Sequence, residues 1–218
     1  MADSFLAGLP AFRGLPASVL AGLAPRLRLR KYRKGEPVFS EGDAPDAVHL
    51  LRSGLVKAVK HSPHSQLAAM EIIAPGHFFG MIAVMDGKPY PVSAVPLSPC
   101  EAYRFPAPVF VSLMSAQPHF SKHIYASLGD HLRQSQALRA LASESVERRI
   151  AHVLCALAES MGDRLTVRRE DVAEIAGCSP ETAIRTLASL RKAGLISTGW
   201  KRVTLLDRRR LRKLLEPD

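Results

Sequence analysis

Cysteine is scarce: Cys100, Cys155 and Cys178 stand far apart in 218 residues, and their number is odd. That excludes a disulfide framework and a metal pair of the C-x-x-C kind. No run of 18 apolar residues occurs, which excludes a membrane-spanning helix. The first residues, Met-Ala-Asp-Ser-Phe, lack a basic stretch followed by an apolar one, so no secretory signal is read there and the expected location is the cytoplasm. No nucleophile–base spacing stands out, and no catalytic residue is expected. Positive charge, by contrast, is in surplus. Thirty Lys and Arg against 20 Asp and Glu leave a net +10, which favours a polyanionic partner such as nucleic acid. The surplus is not localised. Residues 1–143 carry 15 basic and 9 acidic side chains and residues 144–218 carry 15 and 11, so the two parts hold +6 and +4. Local pattern has to say which part binds.

The pattern changes character twice. From about Leu27 to Phe110, "PVFSEG", "AVHLLRSG", "LVKAVK", "AAMEIIAPG", "VSAVPL" and "CEAYRF" read as short strands bounded by turn residues. Such spacing suggests an all-β barrel or roll, preceded by a short helix around Ala17–Arg26. From Gln117 to about Ser143 glycine and proline nearly vanish, and Ile124, Leu128, His131, Ser135, Leu138 and Ala142 recur in steps of four and three. That period of 3.5 is a coiled-coil seam. It is read either as a parallel dimer helix or as packing against its own domain. From Ser145 an amphipathic helix carries Val146, Ile150, Val153, Leu154 and Leu157 on one stripe, and Gly162-Asp163 ends it. Two short helices, around Arg169–Ala176 and Ser179–Ala193, precede a strand pair, "LIST" and "RVTLL", and a last helix that Asp207 can cap. Three helices and a β-hairpin make a winged helix-turn-helix. The expected fold is therefore α+β: a jelly-roll-like β-roll (a double-stranded β-helix) in 1–116, a dimerisation helix in 117–143 and a winged helix in 144–218.

"GCSPETAIRTLASLRKAGLI", Gly177 to Ile196, is the most informative stretch. Ser179 is a preferred N-cap, and Pro180 then falls in the first turn, where its missing N–H costs nothing. Ala183, Leu187 and Leu190 lie at i, i+4 and i+7 and form a buried face, which turns Glu181 and Arg185 outward. A helix-turn-helix inserts its second helix into the major groove N-terminus first. There a guanidinium can donate twice to guanine and a carboxylate can accept from cytosine. The same pair can equally be a solvated i,i+4 ion pair, and it can hold the Arg rotamer in place. Lys201 and Arg202 at the hairpin tip, with Arg168 and Arg169 at the first helix, are placed for phosphates, which position without specifying.

That segment resembles the recognition segment of the Crp/Fnr family of bacterial transcription regulators, with its Glu and Arg four apart after a Gly-x-Ser turn. "KGEPVFSEGDAPDAVHLLRSGLVK" is similar to the family's β-roll signature through Gly35, Gly42, Asp43 and Gly54, and "PGHFFG" supplies Gly76 and Gly80. The resemblance spans essentially the whole chain. It implies a non-enzymatic homodimer on a palindromic operator, with double-stranded DNA, a second copy of itself and RNA polymerase as partners and no membrane. It assigns Glu181 and Arg185, flanked by Pro180 and Ile184, to bases, and adds Ser179 and Thr182 to the phosphate set. An enzyme regulated by such a roll is the reading from another class, and the chain has no further domain to hold its catalytic site.

Departures from the family pattern fall in the effector pocket, expected at Gly80, Met81, Tyr90, Pro91, Val92, His131 and Ser135. Cyclic-nucleotide-binding members carry a Glu after the Phe-x-Gly and an Arg-Ser or Arg-Thr pair about ten residues on. Here Met81 holds the Glu place, Tyr90-Pro91-Val92 stand where Arg-Ser is expected, and Lys88 comes two positions early. Proline removes a donor and no cation remains to meet a phosphate, so cyclic AMP is not the expected effector. The iron–sulfur branch needs clustered N-terminal cysteines, and none precedes Cys100. "GKPYPVSA" resembles a loop of the denitrification-type regulators linked with nitric oxide and haem, which makes haem the alternative cofactor, with His131 as its candidate ligand. The plainer reading of His131 and Ser135 is a polar pair that sets helix register. His61 and His64 have metal-like spacing but no third ligand, His77 sits in a loop, and Cys178 is read as an inert thiol under the turn. No metal site is expected.

Overall fold

The computed structural model describes residues 2–60, 68–140 and 144–215. They form two compact units, Met1–Ser135 and Gln136–Asp218. The first unit opens with α1 (Ala2–Gly8) and α2 (Ala17–Leu23) and continues through β1 (Arg28–Tyr32), β2 (Ala47–Ser53), β3 (Val56–Lys60), β4 (Ala68–Ile73) and β5 (Phe78–Phe79). A short α3 (Met81–Asp86), β6 (Ser93–Pro96), β7 (Cys100–Pro106), α4 (Ala107–Ala116) and the long α5 (Pro118–Ala140), whose last turn belongs to the second unit, complete the order. The strands form two antiparallel sheets, β1-β7-β2-β5 and β4-β3-β6.

β2 reads as a nearly unbroken apolar run because both its faces are covered. Val48 and Leu50 belong to a core with Phe12, Phe78, Phe105, Phe110 and Phe120, to which the helices contribute. Leu51 belongs to the inner core of the roll with Phe39, Val56, Phe79 and Tyr90. Phe120 of α5 sits edge-on to Phe78 and Phe110, with ring centroids 5.7 and 5.8 Å away. Each such pair adds about 1 kcal/mol beyond its buried area, so the start of α5 is fastened to the roll. "PVFSEG" forms no strand; Phe39 makes only an isolated bridge to Ala94. β1, which no sequence signal marked, pairs with β7 along its whole length.

The second unit contains α6 (Val146–Met161), β8 (Arg164–Leu165), α7 (Arg169–Ala176), α8 (Pro180–Lys192), β9 (Ile196–Gly199), β10 (Arg202–Leu205) and α9 (Arg208–Lys213). Ser145 caps α6 by accepting from the Arg148 N–H at 3.3 Å, and Asp207 caps α9 by accepting from the Arg210 N–H at 2.9 Å. Ile150, Leu154, Val172, Ala183, Leu187, Leu190, Val203 and Leu211 close one core. The wing is a small antiparallel sheet, β8-β10-β9. Among the described residues no helix is long and apolar enough to cross a membrane.

Candidate nucleic-acid interface and effector cavity

The turn between α7 and α8 is built by its backbone. Gly177 takes the left-handed conformation, φ 62° and ψ 45°. Its N–H and that of Cys178 bond back to the Glu174 and Ala173 carbonyls at 3.3 and 3.0 Å, which ends α7 in a Schellman turn. Arg149 of α6 donates to the Gly177 carbonyl at 3.2 Å and holds the turn from below. Ser179 then accepts from the Thr182 N–H at 3.2 Å and starts α8, with Pro180 in its first turn. Ala183, Leu187 and Leu190 are buried, which leaves Pro180, Glu181, Ile184 and Arg185 exposed. The bond expected between Glu181 and Arg185 is not made. The Arg185 guanidinium donates to the Thr182 hydroxyl at 3.5 Å. The Glu181 carboxyl is held below the usual carboxylate range by its own N–H, then by the Ser179 hydroxyl, with Arg185 a smaller influence. The carboxylate folds back onto the helix start because the free N–H groups there are closer than the guanidinium one turn on. Burial pushes the half-buried Cys178 thiol up, as suits an inert group.

Between the start of α7 and the wing, Arg168, Arg169, Lys201 and Arg202 line one open groove of about 730 Å³ together with Glu170, so the four candidate phosphate contacts come together. The Arg168 N–H is tied to Asp171 at 2.9 Å, which fixes the entry to α7. Trp200, at the wing tip, lies in the same groove, 83% exposed, with the Lys201 ammonium 3.8 Å from its ring centroid. Sequence reasoning passed over Trp200; an aromatic between a strand end and two cations was the available signal.

In the roll, Gly80, Met81, Tyr90, Pro91, Val92 and His131 line one cavity of about 100 Å³, joined by Phe39, Glu71 and Leu128. The backbone at Gly80 has φ 77°, and a Cβ there would lie 3.0 Å from the Tyr90 ring. Tyr90 stacks on Phe39 at 3.8 Å and donates its hydroxyl to the Ala47 carbonyl. The Tyr90 ring thus fills space on the side where an Arg was expected, and no Lys or Arg lines the cavity among the described residues. His131 of α5 is bonded through Nδ1 to Glu71 of β4, and its Nε2 is buried without a partner. Glu71 was not anticipated: it lies in a strand whose sequence gives no hint of which helix covers it.

Comparison with known proteins fits both halves. A cyclic nucleotide-binding domain model matches residues 29–117, and a Crp-like helix-turn-helix domain model matches residues 148–214. The CRP-like cAMP-activated global transcriptional regulator of Mycobacterium tuberculosis is 28% identical over 218 residues, 96% of this chain and 97% of that one. A CRP-family transcriptional regulator of Thermus thermophilus superposes with a TM-score of 0.68 at 26% identity, over 85% of this chain and 96% of that one. FixK2 of Bradyrhizobium japonicum shares the fold, with a TM-score of 0.78 at 19% identity, over 88% and 98%. The chain belongs to the Crp/Fnr family. It is a DNA-binding transcription regulator, not an enzyme.

In this Crp/Fnr regulator the helix seam read from sequence needs correction. Ile124 is 0% exposed within its own unit, packed among Phe12, Phe78 and Phe120, so it cannot face a second chain. Leu128 and His131 turn the same way and line the cavity. The first half of the stripe, Ile124, Leu128 and His131, is thus on the face that packs on the roll. Apolar side chains left outside are Tyr125 and Leu132, 60% and 61% exposed and two turns apart. His61, His64 and Ala142 lie outside the described residues, as do the side chains of Ser135 and Leu138. No group of three or more metal-ligating side chains occurs among the described residues.

Proposed function

We propose that this regulator binds a palindromic operator as a homodimer, with Arg185 and Glu181 of each α8 reading base edges in successive major grooves. The observation that carries the reading is the exposed set Pro180, Glu181, Ile184 and Arg185 on a helix whose opposite face is locked into the core. Arg168, Arg169, Lys201 and Arg202, with Ser179 and Thr182 at the helix start, supply the phosphate contacts. Tyr125 and Leu132 supply the start of the dimer contact on α5. Two-fold symmetry then sets the half-sites about one DNA turn apart. RNA polymerase is the expected further partner, in the cytoplasm.

The effector is a molecule other than a cyclic nucleotide. The Mycobacterium relative is named as cAMP-activated. Here the cavity is about 100 Å³ against roughly 300–1,000 Å³ for ligand pockets in general, and Glu71 would oppose a phosphate. Haem does not fit either: the cavity is far smaller than a porphyrin, and Glu71 already engages His131.

The test is a binding selection on randomised duplexes with the parent, Glu181→Ala and Arg185→Ala at one fixed salt concentration. A palindromic motif is expected, with each variant losing information at its own base pair. Identical motifs from all three proteins would reduce the pair to surface charge and sink the reading.

A further inference from the structure

The inner face of the four-stranded sheet carries an unusual row. Register places Arg28 opposite Arg104, and Arg104 opposite His49. Arg30, two residues on from Arg28, shares that face. Like charges directly opposite each other weaken a sheet, so a guanidinium pair of this kind needs compensation. Arg104 receives it from Asp46 at 2.6 Å. Among the described residues Arg28 and Arg30 have no ion-pair partner.

These side chains line an open groove of about 750 Å³, in the size range of small-molecule sites. It is separate from the cavity against α5, though Phe39 and Tyr90 line both. His49 lies in the groove, 3% exposed, between Phe39 and Phe79 with ring centroids 5.7 and 5.3 Å away, and its Nδ1 is buried with no hydrogen-bond partner. A buried ring nitrogen without a partner is costly, and it marks a place where a further group is wanted. Burial, then the Arg104 and Arg30 charges, hold the His49 pKa down at about 4, so the ring is neutral at pH 7 and offers one donor and one acceptor. Of the carboxylates at the rim, Glu36 accepts from the Arg33 N–H at 2.9 Å and Asp43 from the Ser40 N–H at 2.8 Å. Both serve to cap turns.

We propose that this groove is a second ligand site, distinct from the cavity against α5, for a small phosphate monoester bearing a flat ring. Arg28 and Arg30 hold the phosphate as charge-assisted donors, and the ring lies over Phe39, Tyr90 and His49. The site stands independently of how the effector cavity is read.

The probe is adenosine 5′-monophosphate, titrated at low salt into the full-length, DNA-free protein and followed by NMR. Inorganic phosphate and adenosine are the comparison arms. AMP is expected to shift resonances of Tyr32, Tyr90 and the His49 ring nitrogens, with adenosine binding at least tenfold more weakly and inorganic phosphate in between. Arg30→Ala relieves repulsion and keeps the fold, and it should weaken AMP tenfold or more. His49→Phe keeps the stacking and should weaken AMP severalfold. The proposal is overturned by any of four results: no binding at millimolar AMP, equal affinity for AMP and adenosine, an unchanged affinity in Arg30→Ala, or shifts confined to α7 and the wing. The ring-nitrogen readout is made on the parent, so it decides even where a variant fails to fold.

Discussion

The roll cavity and the outer face of α8 treat polar groups in opposite ways. In the cavity most polar atoms are spent inside the chain, Tyr90 on the Ala47 carbonyl and the His131 Nδ1 on Glu71, and the His131 Nε2 is left buried without a partner. On α8 the backbone needs are met at the turn by Gly177 and Ser179, and the long side chains of Glu181 and Arg185 remain at the surface. A surface that recognises a polymer has to keep donors and acceptors available, because an unpaired group is cheap in water and expensive once buried. The cavity has little charge left to offer a phosphate, whereas the groove between α7 and the wing gathers four cations against one carboxylate, Glu170.

That contrast can be broken first on α5, which has one face of each kind. Ile124→Asp would bury an unpaired carboxylate among phenylalanines, at a cost on the order of 4 kcal/mol or more, and the roll should unfold or melt far lower by circular dichroism. Leu132→Asp, on the exposed face, should leave the melt nearly unchanged and shift the protein from dimer to monomer in sedimentation. If Leu132→Asp unfolds the roll while Ile124→Asp only dissociates the dimer, the two faces have been assigned the wrong way round.

Acid sharpens the comparison next. The folded pKa of His49, about 4, lies below its unfolded value near 6.5, so the unfolded chain takes up the proton first. The resulting stability is present in full above pH 6.5, is lost as pH falls from 6.5 to about 4, and is level below that. The loss is about 3 kcal/mol. Urea denaturation of the parent and His49→Phe at pH 7 and pH 4 should show the parent losing more by that amount; equal losses would mean that the ring is not buried neutral.

On the outer face the effects are smaller. Arg185→Ala should cost about 1–3 kcal/mol on the selected operator and less on random duplex, measured by fluorescence anisotropy of labelled DNA. Lys201→Ala, a phosphate contact, should weaken both alike and lower the salt slope by roughly one. A loss confined to the operator would make Lys201 a base reader.

How much of this was legible follows the same division. α8 could be read to its caps, because Ser179-Pro180 and the spacing of Ala183, Leu187 and Leu190 are local signals that point one way. Most strands of the roll were legible where apolar runs ended in turn residues, "PVFSEG" excepted, and Gly80, Met81, Tyr90, Pro91 and Val92 line one cavity. The first half of the seam on α5, Ile124 to His131, turned out to face the roll for a physical reason. Ile124-Leu128-His131 and Tyr125-Leu132 are stripes of nearly the same period, and period alone does not say which one its own domain covers. Glu71, a partner from a distant strand, and β1, whose residues are mostly exposed, carry no local signal at all.

Trp200 is the single tryptophan of the chain, and it stands almost fully in water at the wing tip. The indole emission of this protein therefore comes from one hairpin. It should be red-shifted in the free protein, and its response to added duplex would report the wing directly, without a dye. The same feature sets a trap: an unfolding curve recorded at that wavelength describes the neighbourhood of β9 and β10, and the roll has to be followed through its tyrosines instead.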